Sequence, residues 1–99
     1  MKDKSFPALS NLLGSYFHQD WVVEFPDDER VLAAIQESEP REQIAEACSE
    51  ISSIVASNRS DASVSELLHG DLGCYFEPNS RDMTSKEWLE FVGRRLAGK

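Results

Sequence analysis

Between Pro40 and Asn58, Ile44, Cys48, Ile51 and Val55 recur at steps of four, three and four residues. That spacing returns apolar side chains to one side of an α-helix and fits no strand period. Ala47 and Ile54 flank the stripe, so the segment is expected to bury this side against other helices. Glu39-Pro40 sets its start. The residue before a proline avoids the helical region, whereas proline itself is tolerated in a first turn.

The rest of the chain carries similar punctuation. Pro26 precedes Asp27-Asp28-Glu29, where Asp27 can cap a helix and the next two acids favour the positive end of its dipole. Val31, Leu32 and Ile35 form the apolar stripe behind it. Phe6 to Ser15 reads as a short helix, with Ser5 as cap, Pro7 in the first turn and Gly14-Ser15 as its end. Ser63-Val64-Ser65-Glu66 and Thr84-Ser85-Lys86-Glu87 both have capping-box spacing. The first opens a short helix with Val64, Leu67 and Leu68, expected to stop at Gly70. The second opens a last helix with Trp88, Leu89, Phe91, Val92 and Leu96, ending near Gly98. Asp71 to Asp82 is an irregular connection whose Cys74-Tyr75-Phe76 should pack inward. Trp21-Val22-Val23 has no nearby strand to pair with, so it is expected to form a buried turn or an irregular helical turn. The prediction is an all-α fold: one domain over residues 1–99, a small bundle of about four to five helices.

Charge narrows the function. The net charge is -8, from 18 acidic and 10 basic residues. Residues 20–50 hold ten of the acids and only Arg30 and Arg41, so the excess sits in one third of the chain. Such a surface repels nucleic acid and anionic membrane and attracts basic partners. Glu42, Glu46 and Glu50 step along the helix as an expected outward ridge. Like charges at this spacing cost about 0.2–0.5 kcal/mol per pair, so stability alone does not motivate the ridge. No apolar run approaches the roughly 20 residues of a membrane span. Met1 to Pro7 lacks the apolar core of a secretory signal, and a cytoplasmic protein is expected. Cys48 and Cys74 are expected as reduced thiols, the first an inert part of the helix's apolar side.

Catalytic signals are weak. His18-Gln19-Asp20 and His69-Gly70-Asp71 repeat His-x-Asp, and two imidazoles with two carboxylates can ligate zinc or a harder cation if the fold joins them. The blander expectation is a locally bonded His18 and a His69 in a helix's last turn. No nucleophile elbow or phosphate-binding glycine loop occurs, and the bases are too few and scattered for a nucleic-acid surface. No enzyme, resident metal or cofactor is expected.

Tyr16-Phe17-His18-Gln19-Asp20-Trp21 packs three aromatics, a histidine and a carboxylate into six residues. Entered through Leu12-Leu13-Gly14-Ser15 and followed by Asp27-Asp28-Glu29, in a chain of this length, it resembles the immunity proteins of contact-dependent growth inhibition systems. The resemblance implies a small helical cytoplasmic protein. It would bind the toxic C-terminal domain of a sister cell's exported exoprotein, often a nuclease and sometimes one that cleaves transfer RNA, by covering its active site or substrate-binding surface. A nuclease presents a basic cleft, and an acidic inhibitor can steer into it. The expected toxin contacts are therefore drawn from Asp27, Asp28, Glu29, Glu37, Glu39, Glu42, Glu46 and Glu50. Tyr16, Phe17, His18, Asp20 and Trp21 are expected to form a structural hub. A monomer before binding is the default. Two other readings remain: an acidic helical adaptor for another basic protein, and a small metal protein using His18, Asp20, His69 and Asp71.

Overall fold

A computed structural model describes residues 6–98. Among these, six α-helices and no strand are found: α1 (Pro7–Tyr16), α2 (Trp21–Glu24), α3 (Asp28–Ser38), α4 (Arg41–Ala56), α5 (Asp61–Glu66) and α6 (Ser85–Gly98). A π-helical turn, Leu67–Asp71, continues α5, and a 3-10 turn spans Pro78–Arg81. The all-α bundle is as predicted, and the one-turn α2 stands where a turn or irregular helical turn was expected. α4 packs against α1 on one side and α6 on the other, and α3 lies against both α1 and α6.

The caps explain the boundaries. Asp27 accepts from the Arg30 N–H at 2.9 Å and starts α3. Thr84 Oγ1 accepts from the Glu87 N–H while the Glu87 carboxylate accepts from the Thr84 N–H, a reciprocal box at the start of α6. The other predicted box is displaced. Ser60, not Ser63, caps α5, and its Oγ accepts from the Ser63 N–H at 3.1 Å. Ser60 is available because Asn58 to Ser60 approaches as open loop, and a hydroxyl three residues before a free N–H has the needed reach. The predicted stop at Gly70 also fails, because the chain widens into the π turn through Gly70 and Asp71. α1 runs past Gly14 and Ser15 to Tyr16. Gly14 is there for proximity, since a Cβ on it would lie 3.2 Å from the Leu72 carbonyl oxygen. The predicted cap Ser5 lies outside the described residues.

The core contains Leu9, Leu12 and Leu13 of α1, Val31, Leu32 and Ile35 of α3, and Trp88, Leu89 and Val92 of α6. On α4 the buried side is centred on Ala47, Ile51 and Ile54, while Ile44, Cys48 and Val55 are half-buried at its border. The helix is thus rotated relative to the predicted stripe. α6 approaches closely here: a Cβ on Gly93 would sit 3.3 Å from Ile51 Cγ2. The flank residues Ala47 and Ile54 therefore lie at the centre of the contact.

Aromatic rings close one end of the bundle. Phe17 meets Trp21 at 5.4 Å and Trp88 at 5.3 Å between ring centroids, both edge to face. Phe76 stacks on Trp88 at 4.7 Å and meets Trp21 at 5.6 Å. Such pairs contribute about 0.5–1.5 kcal/mol each beyond their area. Tyr75, expected to pack inward, is 58% exposed, whereas its neighbours Cys74 and Phe76 are buried. Burial alternates residue by residue from Cys74 to Pro78, so neighbours in this stretch do not all face the core. Tyr75 instead anchors through its backbone N–H, which donates to the Phe17 carbonyl at 2.8 Å.

Candidate functional site: an acidic groove between two helices

A concavity of about 890 Å³ lies along α1 and the first turns of α4. Ser10, Asn11, Gly14 and Ser15 form one wall, and Pro40, Glu42, Gln43 and Glu46 form the other. Asp71 and Leu72 close the far side. The π turn delivers Asp71 there. It is held by Leu72 N–H donating to the Leu67 carbonyl, five residues back, at 2.9 Å, and by Ser10 Oγ reaching the Asp71 carbonyl at 3.5 Å. One-turn π segments of this kind often mark functional positions. Three carboxylates, from Glu42, Glu46 and Asp71, thus line one groove whose described wall has no lysine or arginine.

The other expected contact acids fare differently. Glu50 does not continue the ridge of Glu42 and Glu46. It is 9% exposed and points into the bundle, where Oε1 accepts from the Leu9 N–H at 2.7 Å and Oε2 from the Ala8 N–H at 3.2 Å. The reason lies in α1. Pro7 has no N–H, Ser10 N–H already bonds the Phe6 carbonyl, and Phe6 supplies no side-chain cap, so Ala8 and Leu9 are the donors left over. A carboxylate from α4 satisfies both. Asp28 is also inside, at 1% exposure. It accepts from Trp88 Nε1 at 2.9 Å and from Arg81 Nη1 at 2.9 Å. Arg81 in turn lies over the Phe91 ring, 5.0 Å from its centroid. Asp28 therefore ties α3 to α6 and to the 3-10 turn.

Glu29 pairs with Arg81 at 3.7 Å and Arg95 at 3.6 Å. Glu39 accepts from Tyr16 Oη at 2.9 Å, and burial followed by this contact raises the tyrosine's pKa. Asp27 is exposed but engaged as a cap. Among the described residues, Glu37, Glu42 and Glu46 are exposed carboxylates with no side-chain hydrogen bond or ion pair.

The aromatic hexapeptide divides. Phe17 is fully buried and Trp21 half-buried in the ring cluster. His18 Nδ1 accepts from the Asp20 N–H at 3.1 Å, and Nε2 faces Glu24 at 3.6 Å. Asp20 is exposed. The turn after it is not buried as expected: Val22 is 65% and Val23 80% exposed. α2 is one turn long and anchored by Trp21 and Phe25, so its remaining positions face outward. Hydrophobicity alone gave no signal for this outward facing.

His69 is bound to its own loop, its Nδ1 donating to the Cys74 carbonyl at 2.9 Å. Among the described residues no group of three or more His, Cys, Asp or Glu side chains is arranged to hold a metal ion. Both cysteines are free thiols. Burial pushes the Cys74 thiol up to about 12 and raises Cys48 as well, which suits neither to nucleophilic attack near neutrality. No described helix is long and apolar enough to cross a membrane.

The sequence profile of the family described as CdiI immunity protein matches residues 5–96. The chain belongs to the CdiI immunity protein family. Its fold is similar to a chain in the crystal structure of the CdiA-CT/CdiI complex from Y. kristensenii 33638. The TM-score is 0.86 and the identity 30%, covering 92% of this chain and 97% of that one. No curated protein matches by sequence. Membership in a family of immunity proteins implies an inhibitor.

Proposed function

We propose that this chain neutralises the C-terminal toxin domain of a CdiA exoprotein in the cytoplasm of the cell that produces it. It binds that domain and masks its active site or the surface that receives the substrate. The observation that carries this reading is the whole-length likeness to a chain of a CdiA-CT/CdiI complex. The charge distribution supports a basic nuclease as the toxin, with transfer RNA among the candidate substrates. Glu42, Glu46 and Asp71 offer a groove to a basic segment of the toxin, and Glu37 extends the available acid along α3. Asp28 and Glu50 leave the pool of contacts because their carboxylates already serve the fold.

Paired expression with the cognate toxin domain tests this directly. Growth should be rescued and the two proteins should co-purify. Association should slow as salt rises, because exposed charges steer the encounter and are screened over about 8–10 Å. Continued growth arrest despite soluble expression of both partners would refute the reading.

A further inference from the structure

Val22, Val23 and Tyr75 are the exposed large apolar side chains among the described residues, and two of them are consecutive on α2. Scattered apolar residues on a surface are ordinary, but this pair is presented on a rigid support. Four residues cannot hold a helix by themselves. α2 is held by Trp21, which packs on Phe17 and Phe76, by Phe25 against the core, and by the Tyr75 N–H to Phe17 carbonyl bond beside it. β-branched side chains have few rotamers to lose, so valines on such a support bind at little entropic cost. Asp20 and Glu24 flank the pair in the chain, Asp27 follows four residues after Val23, and all three are exposed; no lysine or arginine occurs between Phe17 and Arg30.

We propose that the α2 knuckle, Val22 and Val23 with Asp20, Glu24 and Asp27 close by in the chain, is the apolar anchor on which the cognate toxin domain seats. Its complement on the toxin is a shallow apolar depression bordered by lysine or arginine. The charge selects this occupant. A second copy of the chain would bring the same acids face to face, and an anionic membrane would be repelled. The inference rests on the function proposed above and adds an apolar anchor that an acidic surface alone lacks, since charged groups set the encounter while buried apolar anchors set residence time.

The test is binding kinetics of the full chain against the purified cognate toxin domain at low and high salt. Wild type is compared with Val22→Ser/Val23→Ser and the shape-preserving Val22→Thr/Val23→Thr. The serine pair should weaken affinity about 10- to 100-fold, almost wholly through faster dissociation and equally at both salts. The threonine pair should show a smaller loss of the same kind. Melting temperatures should stay within about 3 °C of wild type, as for exposed positions. Wild-type rate constants in both variants would overturn the anchor while leaving the functional reading intact. So would a wild-type homodimer that the serine pair dissociates. Failure of the wild type itself to bind the toxin domain would overturn both.

Discussion

Replacing Glu50 with glutamine tests the least expected assignment of an acidic residue. The substitution keeps size and shape and removes the charge. In the native chain the two carboxylate oxygens accept from Leu9 and Ala8 at 2.7 and 3.2 Å. An amide can offer oxygen to only one of these N–H groups and turns its own donors toward the other. Hydrogen bonds to a charged acceptor contribute about 1.5–3 kcal/mol, and an unsatisfied buried donor costs about 1–3 kcal/mol. The carboxylate also faces the positive end of the α1 dipole, a further contribution of about 0.3–2 kcal/mol. Because one bond survives, Glu50→Gln should cost about 2–3 kcal/mol. A chain of 99 residues is stable by only about 5–15 kcal/mol, and 1 kcal/mol shifts the melting temperature of a domain this size by about 4–8 °C. The melt followed by circular dichroism should therefore fall by about 10–20 °C, with a matching drop in the urea midpoint and an unchanged urea slope. The folded variant should still bind the toxin domain. A loss below about 0.5 kcal/mol would refute the cap. Lost toxin binding at unchanged stability would return Glu50 to the exposed ridge that its spacing suggests.

Two further outcomes follow from buried groups. Asp28→Asn should lower stability by about 2 kcal/mol in urea titration. It uncouples Arg81, whose partial exposure limits the loss, while the amide oxygen can still accept from Trp88. Cys74, raised in the folded state from its ordinary 9.0 to about 12, keeps its proton more tightly folded than unfolded. Its contribution is full below about pH 9 and is lost as pH rises toward 12, with raised Tyr16 acting in the same direction. Cys74→Ala should flatten that alkaline decline. In the native protein iodoacetamide should reach half-buried Cys48 before buried Cys74, which should label only in denaturant. Equal labelling of the two would contradict the burial.

Helices α3, α4 and α6 were legible because their signals are local. Proline restricts its neighbour, a capping side chain reaches three residues along, and an apolar period of 3.6 marks a side. Ser60 and the π turn were missed for the complementary reason. Several serines could cap within that stretch, and the widened turn leads into a contact of the Leu72 carbonyl with Gly14, far away in the chain. The acidic surface was legible only as a sum. Charge can be counted from residues, but which carboxylates face solvent depends on donors elsewhere in the chain.

The sequence by itself determined an all-helical chain, the placement of its acidic excess in residues 20–50, and a likeness to immunity proteins. Tertiary structure alone decided how the Tyr16 to Phe25 segment divides, with Phe17 and Trp21 turned into the ring cluster and Val22 and Val23 left outside. It also decided that Asp28 and Glu50 serve the interior while Glu42 and Glu46 line a groove. Periodicity and composition are sums over neighbours in the chain. The orphan N–H groups of Ala8 and Leu9 lie 42 and 41 residues, and the indole of Trp88 60 residues, from the acids that satisfy them. Only the packed bundle brings such partners within hydrogen-bond reach.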